Sequence, residues 1–200
     1  KKKKLNEIPF LPSKLFKYSE LRSVSKNKVF KTLLSSGTSG STPSKIFLDK
    51  KNAFNQIKVL SKIVGTILGK KRLPMLIVDQ NPRKLNRYNF NARSAAIYGF
   101  SIFGTNHTYL LNDKGEIDYK LLNFFLDKYG DKKFFIFGFT SLVFENLVRK
   151  ISKKLISSDF KNGILLHGGG WKKMQQIKVN NKKFNKQLFD KIKLKNIFNY

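Results

Sequence analysis

The sequence predicts an α/β fold with a largely parallel sheet flanked by helices. Short apolar runs rich in β-branched and aromatic residues, at 73–78, 134–137 and 164–166, alternate with longer stretches of helical periodicity. Gly-rich turns at 35–44 and 167–171 follow two of the strand candidates, and in such sheets ligands sit beyond the carboxyl ends of strands. With 200 residues, 40% hydrophobic and 14% aromatic, the chain is too apolar for a disordered tail and long enough to bury a sizeable core.

Taken in order, residues 1–20 read as irregular, because Pro9 and Pro12 hold the residues before them extended. Residues 29–34 and 45–48 read as strands, joined by the turn chemistry of SSGTSGSTPS at 35–44. Asp49 is a candidate cap for a helix with Phe54, Ile57, Leu60, Val64, Ile67 and Leu68 on one side. A buried strand at 73–78 precedes a weakly helical stretch at 92–98, which Gly99 and Gly104 are expected to interrupt, and a short strand at 107–111. Asp118 opens a helix bearing Leu121, Leu122, Phe125 and Leu126. After the strand at 134–137, Ser141 is expected to cap a helix with Leu142, Phe144, Leu147, Val148 and Ile151. The strand at 164–166 leads into Gly168-Gly169-Gly170-Trp171, a Lys-rich helix follows, and Ile197 and Phe198 begin a last strand.

Lys plus Arg number 41 and Asp plus Glu 12, a formal charge of +29. Such a balance suggests nucleic acid first. However, 35 of the basic residues are Lys and only 6 Arg, whereas base reading favours the bidentate Arg fork. The lysines are also spread along the chain, and Lys, Asn, Ile and Phe are abundant together, which fits a compositional bias. No specific nucleic-acid partner is expected, and a basic nucleic-acid-binding protein without catalysis stands as the alternative class. The nine lysines between 172 and 195 read as a solvated helix face. The absence of cysteine excludes disulfides, thiolate metal sites and a cysteine nucleophile within these residues, and two histidines give no expected protein-held metal site. No apolar run approaches the ~18 residues that span a bilayer, and Lys1–Lys4 lack the apolar stretch of a signal peptide; a soluble cytoplasmic protein is expected. The chain starts at Lys1 and stops at Tyr200 within a strand-like run, so it reads as a fragment.

The segment from Ser35 to Lys45 is the most informative. No Gly-Lys-Ser/Thr closes it, so it is not a Walker loop, and it lacks the spacing of a nucleophile elbow. Glycines let backbone N–H groups form a concave anion nest, hydroxyls add donors, and Lys45 adds a cation. On composition the segment is either a hairpin loop or a phosphate-binding loop.

The stretch Ser36-Gly37-Thr38-Ser39-Gly40, followed by Pro43-Ser44-Lys45, resembles the phosphate-binding loop of acyl-adenylate-forming enzymes, with one extra residue before the proline and Ser44 between Pro43 and Lys45. VFKTLLSSGTSG, PSKIFLDKKNA, LPMLIVD, NARSAAIYGF and HGGGWKK together resemble the acyl-protein synthetase family, which includes the fatty-acid ligase of the bacterial luminescence fatty-acid reductase complex. The resemblance implies the N-terminal part of the large domain of an adenylate-forming enzyme, with mixed sheets flanked by helices. All of residues 1–200 would form one partial domain whose C-terminal part and lid lie elsewhere.

It also implies roles. Ser36, Gly37, Thr38, Ser39, Gly40 and Lys45 would hold the β and γ phosphates of ATP, with Lys45 and Thr38 in the catalytic part. His167, Gly168, Gly169, Gly170 and Trp171 would lie along the adenine and the acyl-adenylate. Gly138, Phe139 and Thr140 would line the acyl pocket, with Phe103 and Phe137 in an apolar tunnel. ATP and Mg2+ are the implied cofactors, and no metal ligand is assigned within these residues. The implied reaction is ATP-dependent activation of a long-chain fatty acid as acyl-AMP, then transfer to a protein thiol; the alternative acceptors are coenzyme A or another carrier. The implied partners are the fatty acid and the acyl-transferase and reductase subunits of a fatty-acid reductase complex; this segment alone is expected to be inactive.

Four residues carry a plain structural reading beside any functional one. His167 could be a satisfied strand-end histidine and Trp171 a core residue. Arg93 is expected in a surface ion pair rather than on phosphate, and Asp79 as a cap or turn residue.

Overall fold

The computed structural model describes Lys4, Glu7 and residues 9–34, 42–82, 92–177 and 179–200. Its contacts divide the chain into two compact units, Lys1–Lys62 and Ile63–Tyr200.

In the first unit, one short helix, α1 (Leu15–Tyr18), departs from the expected irregularity of the N-terminal residues. Strands β1 (Lys31–Leu34) and β2 (Lys45–Leu48) pair antiparallel, with Leu34 opposite Lys45. The Gly- and hydroxyl-rich segment therefore joins neighbouring antiparallel strands, as the sequence predicts, and does not lead into a helix. Its residues 35–41 lie outside the described residues. Helix α2 (Lys50–Leu68), whose residues up to Lys62 belong to the first unit and the rest to the second, starts where Asp49 Oδ1 accepts from the backbone N–H of Asn52 at 2.7 Å. Its buried stripe is Ala53, Val64 and Leu68, with Leu60 and Ile67 half-buried. Phe54 and Ile57 depart from the expected apolar side by staying half exposed. Phe54 lies about 100° around the helix from Ala53, and its ring stacks instead on Phe30 at 6.0 Å.

The second unit holds a five-stranded parallel sheet in the order β4-β3-β5-β6-β7, formed by β3 (Leu73–Gln80), β4 (Gly104–Leu111), β5 (Phe134–Phe139), β6 (Gly163–Gly168) and β7 (Asn196–Asn199). Helix α3 (Ala92–Ser101) follows β3, α4 (Tyr119–Tyr129) follows β4, α5 (Thr140–Val143) follows β5, and α6 (Asn181–Ile192) precedes β7. The chain leaves β3 toward β4, then returns past β3 to β5 and continues outward. Right-handed crossovers then put α3 on one face and α4, α5 and α6 on the other.

The packing agrees. Leu122, Phe125, Val143, Phe184 and Leu188 share one core with Leu76, Val78, Phe134, Ile136 and Leu165. On the opposite face, Phe100 of α3 stacks on Phe137 at 4.4 Å. Strands covered on both faces read as continuous apolar runs, which explains LPMLIV, FFIF and ILL. Phe134, Phe135 and Phe137 are completely buried, each contributing about 1.5–3 kcal/mol by removal from water.

Three local expectations are corrected. Helix α3 continues through Gly99 to Ser101, because the buried Ile97 and Phe100 anchor its inner face and outweigh the ~1 kcal/mol cost of an exposed helical glycine. Strand β4 starts at Gly104, where a Cβ would fall 2.5 Å from Met75 Cβ, so only glycine lets β4 approach β3 there. Ser141 does not cap α5: Phe139 holds the N-cap position without a side-chain hydrogen bond, and Ser141 is already inside the first turn. Helix α5 then widens into a π-helix over Phe144–Lys150, where Ile151 N–H reaches back to Asn146 O at 2.9 Å. Helix α4 starts as predicted, with Asp118 Oδ1 accepting from Leu121 N–H at 3.0 Å; the Lys-rich α6 starts at Asn181, after Asn180, whose side chain accepts from Lys183 N–H.

Candidate active site

In a doubly wound sheet the crevice lies at the carboxyl ends of two neighbouring strands whose connections leave in opposite directions. Here those strands are β3 and β5. Register brings their neighbours together at the same end: Gly138 lies opposite His167, Phe139 opposite Gly168, and His167 opposite Asn199. Of the residues singled out from sequence, Gly138, Phe139, Thr140, His167 and Gly168 therefore form one group.

Glycine is required at this end for two different reasons. At Gly138 a Cβ would stand 2.8 Å from Val143 Cγ2 and 2.9 Å from Val78 Cβ, because α5 folds directly back over the sheet. Gly169 adopts φ +76°, the left-handed conformation that turns the chain after β6, beneath the Phe139 ring. Tyr200 covers Gly168, packs at 4.9 Å from Phe100, and donates its N–H to His167 O at 3.1 Å. Partial burial of its phenol raises the pKa above 10.0. Phe100, Phe103, Phe137, Phe139 and Tyr200 form a continuous aromatic group on this face.

His167 is buried on the other face, with its ring 4.8 Å from that of Phe184. Its Nδ1 lies 3.0 Å from Thr140 Oγ1, which also lies 3.1 Å from Gly168 O. Burial lowers its pKa from 6.5 to about 4, so the imidazole is neutral at pH 7. Trp171 turns into the core against Phe144 at 5.0 Å and Phe184 at 6.1 Å, which fits the core reading of that residue.

Asp79, expected as a cap or turn residue, is instead a buried strand residue 3% exposed, paired bidentate with Arg93 of α3. The strand runs two residues further than predicted, which carries Asp79 inside the sheet. Arg93 makes an ion pair as expected, but a half-buried one with a buried carboxylate rather than one on the surface. Next to it, Gln80 Nε2 donates to Asn112 O at 3.0 Å and Asp113 O at 2.9 Å, tying the end of β3 to the turn after β4. Sequence reasoning passed over Gln80 and Asn146. Asn146 is buried in the π-helix, donates to Leu142 O at 2.9 Å, and leaves Oδ1 without a partner among the described residues. A polar residue inside an otherwise apolar helix face was the available signal for Asn146.

Lys45 opens β2 in the first unit and is half-buried. Ser36, Gly37, Thr38, Ser39 and Gly40 lie outside the described residues. Among the described residues no group of three or more His, Cys, Asp or Glu could hold a metal ion, and no helix is long and apolar enough to cross a membrane.

The sequence profile of the acyl-protein synthetase family, LuxE, matches residues 2–199. The chain belongs to that acyl-protein synthetase family. The long-chain-fatty-acid--luciferin-component ligase of Aliivibrio fischeri is 26% identical over 199 residues, covering 96% of this chain and 50% of the relative. The chain thus spans about half the length of the curated relative it matches. The synthetase resemblance drawn from the motifs is borne out at the level of family, and the α/β class at the level of fold.

Proposed function

We propose that the protein carrying this chain activates a long-chain fatty acid with ATP, as acyl-AMP and pyrophosphate, and passes the acyl group to a protein thiol. The observation that carries this reading is the family match over residues 2–199. The crevice at the ends of β3, β5 and β6 supports it, since a carboxylate and a nucleotide need a site that exposes backbone donors beside an apolar wall. In the first step a carboxylate oxygen attacks the α-phosphorus and pyrophosphate leaves. The protein's work is positioning and charge stabilisation.

In this reading Ser36, Gly37, Thr38, Ser39 and Gly40 hold the leaving pyrophosphate, with Lys45 and Thr38 nearest the reacting phosphates. Gly168, Gly169, Gly170, His167 and Trp171 frame the nucleotide side, Trp171 from within the core. Gly138, Phe139 and Thr140 border the carboxylate, and Phe103 and Phe139 take the acyl chain, with the buried Phe137 packed beneath Phe100 as the wall behind them. Magnesium bound with ATP would neutralise phosphate charge; the described residues offer no cluster of His, Cys, Asp or Glu for it. Residues 1–200 are proposed to be part of one adenylate-forming domain completed by further chain, acting in the cytoplasm beside acyl-transferase and reductase subunits.

The test is fatty-acid-dependent exchange of labelled pyrophosphate into ATP by the full-length protein, followed by recovery of labelled acyl group on protein or on coenzyme A. Exchange with label on protein supports the reading; label on coenzyme A alone would replace the acceptor, and no exchange would overturn the reading.

A further inference from the structure

Thr140 stands where two segments meet, at the turn from β5 into α5 and beside the end of β6. Its hydroxyl has one proton and makes two contacts, to His167 Nδ1 at 3.0 Å and to Gly168 O at 3.1 Å. With both contacts made as hydrogen bonds, the Thr140 proton goes to Gly168 O, because a carbonyl only accepts. The hydroxyl must then accept at its lone pair, and the hydrogen in the second bond must come from His167 Nδ1. This proton inventory leaves one tautomer: Nδ1 carries the proton and Nε2 carries the lone pair.

We propose that Thr140 is a positioning residue that locks His167 in the Nδ1–H tautomer, which leaves Nε2 with the lone pair. In that tautomer Nε2 accepts a hydrogen bond and cannot donate one. The same hydroxyl pins the Gly168 carbonyl immediately before the left-handed Gly169, so the turn and the imidazole are set by one group. The neutral state agrees with a histidine 2% exposed and flanked by the Phe184 ring. The relevance to catalysis rests on the adenylation reading above; the tautomer does not.

The experiment has two readouts on the full-length protein. The first is the two-bond ¹H–¹⁵N correlation pattern of the imidazole, assigned by the signals lost in His167→Asn. A protonated Nδ1 and an unprotonated Nε2 are expected in the parent and in Thr140→Ser. In Thr140→Val, which keeps the shape and removes the hydroxyl, the pattern should move to mixed tautomers or to Nε2–H. The second readout is pyrophosphate exchange, where Thr140→Val should lose about tenfold, the worth of one hydrogen bond at the upper end of the usual range, and Thr140→Ser should restore it.

An Nε2–H pattern in the parent, or an unchanged Nδ1–H pattern in folded Thr140→Val, would overturn the proposal. The expected tautomers in a parent that shows no exchange would leave the lock intact and overturn the adenylation reading instead. Expected tautomers with equal exchange in all three proteins would overturn the role assigned to the lock.

Discussion

Adding one methyl group at Gly138 tests the packing that shapes the site. The new Cβ would stand 2.8 Å from Val143 Cγ2 and 2.9 Å from Val78 Cβ, whereas carbon atoms pack comfortably at about 3.5–4.0 Å. Both valines are fully buried, and one of the opposing atoms is a Cβ fixed to its backbone, so neither neighbour can swing aside. Either α5 lifts from the sheet or β5 shifts against β3 by a good part of an ångström. Overpacking of this kind costs about 1–3 kcal/mol. In a chain of this size each kcal/mol moves Tm by about 2–4 °C, so Gly138→Ala should melt about 2–12 °C lower. Gly99 supplies the control of opposite sign. It lies inside α3 with nothing within 4 Å of a Cβ, so Gly99→Ala should gain up to about 1 kcal/mol and melt higher by about 2–4 °C. Thermal and urea unfolding of the two variants read both effects. A Gly138→Ala protein as stable as the parent would show that α5 does not close over β5 as described.

Two further outcomes follow from the buried charges. Arg93→Ala should destabilise by about 3 kcal/mol, because it strands the carboxylate of Asp79 inside the sheet; Arg149→Ala breaks only an exposed pair with Glu145 and should change urea stability by less than about 1 kcal/mol. The pKa of His167 is lowered to about 4 in the fold against 6.5 unfolded, so between those values the unfolded chain binds the extra proton. Stability should therefore be full above pH 6.5 and fall by about 3 kcal/mol as pH drops toward 4. Urea titrations at each pH should show this slope in the parent and lose it in His167→Gln.

The parts of the fold that were legible in sequence are those where local chemistry and tertiary packing agree. The hairpin around 35–44, the Asp49 and Asp118 caps and the buried strands at 73–78 and 134–137 all needed only turn residues, a capping carboxylate or an unbroken apolar run. The misreadings fall where a contact distant in sequence decides. Gly99 reads locally as a helix breaker, yet Ile97 and Phe100 hold α3 to the sheet. Asp79 reads as a strand-end cap because its partner Arg93 is 14 residues away across a connection.

In the site, HGGGW was legible as a strand running into a turn because glycine runs have few other uses. The link between Thr140 and His167 was not, since it depends on β5 and β6 lying side by side with Gly138 opposite His167. The π-helix after α5 has no local sequence signature, and Asn146 inside it shows only as a polar residue amid apolar ones.

The central claim is carboxylate adenylation with Lys45 at the phosphates. It is tested most directly by pyrophosphate exchange at subsaturating ATP in the full-length protein, comparing the parent, Lys45→Ala and Lys183→Ala. Exchange should require a long-chain fatty acid and fall about 10- to 100-fold in Lys45→Ala, the loss of one charge-assisted contact of about 1.5–3 kcal/mol. Lys183, on the exposed side of α6, should be replaceable without effect. Fatty-acid-independent exchange, or equal rates in the two folded lysine variants, would contradict the account.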